Sequence, residues 1–173
     1  IGGDHMLGVP IDMRVAFGEG FGNAFAAMSA NDPLYLDTST RAQQNGFGFS
    51  VETNPFGGGH YSEAAIHAIL FDVFDGTDEE GDSLSLGFGP ILQTLRDPNY
   101  VGFDGLSSIY PFAQVLMNNQ PSNAQQISGL LRAQNINGTG FYGQNETSSG
   151  GSTINLPVYH QLSLGSSVEV CSN

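Results

Sequence analysis

One carboxylate stands out by its isolation. Between Arg14 and Asp32 the only charged residue is Glu19, in the stretch RVAFGEGFGNAFAAMSAN. Set on a helix at 100° per residue, Phe17, Phe21, Ala24, Phe25 and Met28 gather on one side. Glu19 points roughly the opposite way, among Val15, Gly22, Asn23 and Ala26. None of these neighbours is charged, so the stretch does not read as a solvated face. Burying a carboxylate without a partner costs several kcal/mol, and a metal ion is one partner that would offset this. An arginine, Arg14 or Arg41, is the bland alternative. A second group of oxygens lies in the acidic loop 75–83, where Asp75, Asp78, Glu79, Glu80 and Asp82 could serve Ca²⁺. Their spacing is not that of an EF-hand, and a solvated acidic turn is the competing reading.

The elements that must hold these groups follow from caps, breakers and periodicity. The Glu19 helix is expected over about 13–31, with Asp12 as its N-cap and Asn31-Asp32-Pro33 as its end. Gly18, Gly20 and Gly22 each weaken it by about 1 kcal/mol relative to Ala, and close approach by another element is what such glycines permit. Residues 1–13 read as a loop, in which Asp4 and His5 are expected to face solvent. The alternating NGFGFSVET is a short strand or an extended loop. After Pro55 and Gly57-Gly58-Gly59 a second helix is expected over about 62–75. Ser62 would be its N-cap, Glu63 sits in its first turn, and Ala65, Ile66, Ile69, Leu70, Val73 and Phe74 form its stripe. His67 reads as an ordinary helix histidine.

Leu84 to Leu95 suggests a loop and then a short helix with Pro90 in its first turn, and 97–105 a further loop. A helical hairpin is expected over about 107–136. Its first helix starts at Ser107 or Ser108, and a capping box of Ser122 and Gln125 opens its second. Residues 137–173 read as a long Gly/Ser-rich loop and a tail with room for a short strand or two. His160 is peripheral in that reading. The fold class is therefore mainly α: one helical, bundle-like domain with long loops.

Glu19-Gly20-Phe21-Gly22 resembles the glutamate helix of the gluzincin zinc metallopeptidases, which reads N-E-G-F-A in the aminopeptidase branch and N-E-A-x-S-D in the thermolysin-like branch. The resemblance implies that Glu19 is the third zinc ligand. Gly57-Gly58-Gly59-His60, just ahead of a helix, resembles the thermolysin-like segment G-G-V-H-x-N-S-G. That implies a hydrogen bond from His60 to the oxyanion of the tetrahedral intermediate. Tyr61 is the alternative donor, since the aminopeptidase branch uses a tyrosine. The likeness spans roughly Asp12 to Asp75.

Three departures qualify it. Asn23 stands where the thermolysin-like family has the aspartate that holds a zinc-ligating histidine, so its hydrogen bond to such a histidine would lack the charge. Gly18 replaces the Asn before the Glu. No H-E-x-x-H occurs, and with 18 residues ahead of Glu19 that motif would fall at or before Ile1. The chain accordingly reads as a piece of a longer protein, whose missing N-terminal part would complete a peptidase acting on peptides or proteins. Alone it is expected to be inactive and to bind zinc weakly or not at all. The competing reading is a non-catalytic helical binding or structural domain, including a degenerate peptidase relative that has lost the motif.

Composition narrows the partners. Seventeen acids face four arginines and no lysine, a net charge of −13 that argues against nucleic acid. The single Cys171 allows neither an internal disulfide nor a cysteine zinc site. No apolar run approaches the ~18 residues of a membrane span. Strong acidity with few charges suits a secreted or cell-envelope protein, periplasmic or a surface lipoprotein. Asn137-Gly138-Thr139 and Asn145-Glu146-Thr147 match the glycosylation pattern, which carries weight only in a glycosylating source.

Overall fold

The structure, a computed structural model, describes residues 5–39, 41–76, 84–148, 158–159 and 162–167. Asp4, most of the acidic loop, His160 and Cys171 lie outside the described residues.

Helix α1 runs Met13–Ala30. Asp12 caps it by accepting from the Arg14 backbone N–H, and the Arg14 guanidinium folds back onto the same carboxylate at 2.8 Å. Asn31 closes it in the left-handed conformation, with its N–H on the carbonyls of Ala27 and Met28, a role Asn tolerates. Strands β1 (Leu34–Ser39) and β2 (Asn45–Ser50) follow as an antiparallel hairpin. Only the second of these was foreseeable as a strand. In its register Tyr35 faces Phe49, their rings stack at 4.9 Å, and Phe49 in turn stacks on His67.

Helix α2 (Glu63–Phe74) starts at Ser62, whose hydroxyl accepts from Ala65 N–H. It is the central helix. Its apolar stripe widens to nearly the whole circumference, so Glu63 and His67 are buried with Ile66 and Leu70. Then come α3 (Phe88–Arg96), α4 (Pro98–Val101), α5 (Ile109–Asn119), a 3-10 turn at Pro121–Asn123, and α6 (Ala124–Ala133). One continuous core links Phe17 and Ala24 of α1, Ile66 and Leu70 of α2, Ile91 of α3, Phe112 and Leu116 of α5, and Ile127 of α6. Among the described residues the protein is thus a mainly α domain of six helices and one two-stranded sheet. No described helix is long and apolar enough to cross a membrane.

Several local expectations are corrected. The capping box at Ser122 does not form: residues 121–123 wind as a 3-10 turn and α6 opens at Asn123 without a side-chain cap. Part of the 97–105 loop is the short helix α4, because Asp97 caps it and Pro98 sits at its first position. Phe25, assigned to the apolar face of α1, is 45% exposed and stacks sideways on Phe21 and Phe88.

Candidate functional site

Glu19 lies on the exposed face of α1, and a β-carbon at Gly18 or Gly22 on either side of it would meet open space. The uncharged face was expected to be covered; Glu19, Gly22 and Ala26 are exposed, and of its residues only Asn23 is buried. Nor does Glu19 form a salt bridge or hydrogen bond among them, and the alternative partner Arg14 is engaged by Asp12.

One helical turn further on, α1 turns inward. Asn23 is 8% exposed, and its Nδ2 donates to Oε1 of Glu63 at 3.4 Å. The other oxygen of Glu63 lies 2.8 Å from Nε2 of His5. His5 is therefore not the solvated loop histidine expected of it: it folds over the start of α2 and makes an ion pair when protonated. Glu63 itself was read only as a helix-dipole acid. Its burial follows from Gly20, where a β-carbon would stand 2.7 Å from the Glu63 carbonyl oxygen. The missing side chain lets the first turn of α2 press onto α1 at this level. Beside them the Tyr35 hydroxyl bonds to Asp37 at 3.1 Å. Its pKa is raised by burial first, then by Asp37 and by the charges of Glu19 and Glu63. Asn23, Glu63 and His5 thus form one hydrogen-bonded cluster where α1 meets the start of α2.

No family model, curated protein or solved structure matches this chain.

His60 and Tyr61 belong to a second centre. The His60 ring lies 5.1 Å from the ring of Tyr61 and 5.4 Å from that of Tyr110, and its Nδ1 is buried without a partner among the described residues. Burial lowers its pKa below 6.5, against a smaller opposing pull from Glu146, so the ring is neutral at pH 7. The Tyr61 hydroxyl meets Ser148 Oγ at 2.8 Å. Among the described residues no hydrogen bond or ring contact joins either residue to Glu19.

The residue that organises this centre went unremarked in the sequence, where it was only the middle of a glycosylation pattern. Glu146 is 7% exposed and takes five hydrogen bonds: one from the Tyr110 hydroxyl at 2.6 Å and four from the backbone N–H groups of Asn137, Gly138, Thr147 and Ser148. Burial alone would raise its pKa, but these donors together lower it. The long 137–148 loop is wound around this carboxylate, since an acid facing that many donors satisfies them all at once. A sequence signal existed: Glu146 is the only charged residue between Arg132 and Glu169, as isolated as Glu19.

A hollow of about 720 Å³ adjoins this centre, between α5, α6 and residues 136–140, with Tyr110, Met117, Leu131 and Arg132 among its walls. It touches neither Glu19 nor Asn23. Among the described residues no group of three or more His, Cys, Asp and Glu side chains converges as a metal site needs. Zinc takes three protein ligands and a water in a catalytic site. Glu19, exposed and unpaired, fits as one such ligand; the described residues do not supply the other two.

Proposed function

We propose that this chain is the glutamate-helix part of a gluzincin-like zinc metallopeptidase, secreted or held at the cell envelope, that cleaves peptides or proteins. The observation that carries the reading is the setting of Glu19. Among the described residues it stands open and unpaired on α1, while Asn23, four residues on, is tied into a buried polar cluster with Glu63. A carboxylate kept free of the available arginines, beside an ordered amide, suits a ligand with an outer-shell partner.

In this reading Glu19 is the third ligand, and a segment bearing H-E-x-x-H supplies the two histidines and the general base. Zinc held there would supply the polarisation of a peptide carbonyl and the activation of a water. His60 or Tyr61, which no described contact joins to Glu19, would donate to the developing oxyanion; a neutral His60 still carries one N–H for that purpose.

The test is zinc content in the protein expressed from its complete reading frame, beside the same protein carrying Glu19→Gln. One zinc per chain, lost or much weakened in the variant, supports the reading. A folded wild type without zinc overturns it and leaves a non-catalytic helical binding or structural domain.

A further inference from the structure

We propose that the hollow between α5 and α6 binds short apolar peptides by their free C-terminal carboxylate, with Arg132 as the partner of that carboxylate. Neither Glu19 nor a metal takes part, so this site stands apart from the zinc reading. The space arises from the size of the residues that face it. Tyr110, Ala113 and Met117 follow one another on α5, and Ala124, Ser128 and Leu131 on α6, at spacings of three and four, so each helix turns one face to the hollow. Ala113, Ala124 and Ser128 carry short side chains, which leaves about 720 Å³ between the two faces. That is within the range of sites that take small ligands.

The walls divide by chemistry. Ala113, Leu131 and Ile136 are buried and make an apolar floor, with Met117 half-buried beside them. A methionine fits itself to apolar groups of varied shape. Asn118, Asn137 and Thr139 stand exposed at the rim, with amide and hydroxyl groups that suit a peptide unit, which both donates and accepts. The charge is all of one sign. Acids outnumber arginines seventeen to four in the chain, yet among the described residues no acid lines the hollow and Arg132 is its one charged wall. An η nitrogen of Arg132 donates to Ser128 Oγ at 2.6 Å, one turn back on α6, which steadies the guanidinium. Among the described residues no carboxylate pairs with it. The guanidinium fork matches a carboxylate. A peptide end answers floor, rim and cation together, with its apolar side chain, its backbone amide and its terminal carboxylate. The wall opposite is held ready for it. Glu146 takes the Tyr110 hydroxyl and the N–H groups of Asn137 and Gly138, and all three of those residues line the hollow. A wall fixed beforehand need not be ordered by the ligand.

The experiment is titration calorimetry on the protein expressed from its complete reading frame. The probes are N-acetyl-Leu-Phe with a free carboxylate, the same peptide as its C-terminal amide, and decanoate. The peptide acid should bind, and the amide about 10- to 100-fold more weakly, as the loss of a hydrogen bond between charged groups implies. Arg132→Gln, at an exposed position, should weaken the acid by a similar factor and leave the amide where it was. Ala124→Leu, which fills the hollow, should weaken both peptides. Melting curves check that each variant folds, and Arg132→Gln decides if Ala124→Leu does not. Equal affinity for acid and amide overturns the inference, as does wild-type affinity in Arg132→Gln, or no binding of either peptide by the folded protein. Decanoate bound as tightly as the peptide acid also overturns it, and makes the hollow a site for apolar acids in general. None of these outcomes depends on the zinc content that tests the reading above.

Discussion

A β-carbon on Gly20 would stand 2.6 Å from the β-carbon of Ile66. Neither that atom nor the nearby Glu63 carbonyl can swing aside, so α1 and α2 would have to part. Gly20→Ala should therefore destabilise by about 2 kcal/mol despite its better helix propensity. Gly18 and Gly22, on the same helix, face open space. Gly18→Ala and Gly22→Ala should each stabilise by about 1 kcal/mol. Urea unfolding of the three variants checks the contrast; a Gly20→Ala variant as stable as the other two would mean the helices are not in contact there.

The Glu146 knot makes a prediction about acid. Glu146→Gln would set an NH₂ against N–H donors and should cost about 3 kcal/mol, and Tyr110→Phe about 2 kcal/mol, as hydrogen bonds to charged groups do. The folded pKa of Glu146 lies below its ordinary 4.5. Its contribution is thus fully present above about pH 4.5 and is lost as the pH falls through the lowered folded value. Unfolding midpoints from pH 7 to pH 3 should fall for the wild type, and the gap to Glu146→Gln should close at the acid end. A gap that stays constant with pH would contradict this.

His67 sets a second, higher window. It is 1% exposed, stacked on Phe49, with both ring nitrogens buried and without partners among the described residues. Burial pulls its pKa from 6.5 down to about 4. The unfolded chain binds the proton first, so stability is full above pH 6.5 and declines toward pH 4, by about 3 kcal/mol at most. His60, lowered for the same reason, adds in the same direction. His67→Phe should fold, melt higher near pH 5, and flatten most of this slope. If its melting temperature tracks the wild type between pH 6.5 and 4, His67 is not the group responsible.

Glu19 should matter little to this chain on its own. Because it is exposed and unpaired, Glu19→Gln should change the unfolding free energy by less than about 0.5 kcal/mol. Added zinc should leave the melting temperature of residues 1–173 where it was, since a ligand stabilises only what it binds. Tight stoichiometric zinc by this chain would show ligands beyond Glu19.

Periodicity and caps by themselves determined most of the helices. Asp12 and Ser62 cap α1 and α2, and the apolar spacings of α2 and α5 place those helices within a residue or two of where they form, whereas α4 was read as loop and α6 stops at Ala133, three residues before Ile136. These are local effects, decided by neighbours three and four positions away. The same locality made the acidic isolation of Glu19 visible, and equally that of Glu146. What isolation could not decide is which carboxylate is buried. The chain brings the Tyr110 hydroxyl and four backbone N–H groups to Glu146, while it turns Glu19 outward between two bare glycines. Nor could spacing announce that His5, 58 positions away, would meet Glu63. Those outcomes depend on which helix faces press together, and Gly20 against Ile66 fixes that only once both helices exist.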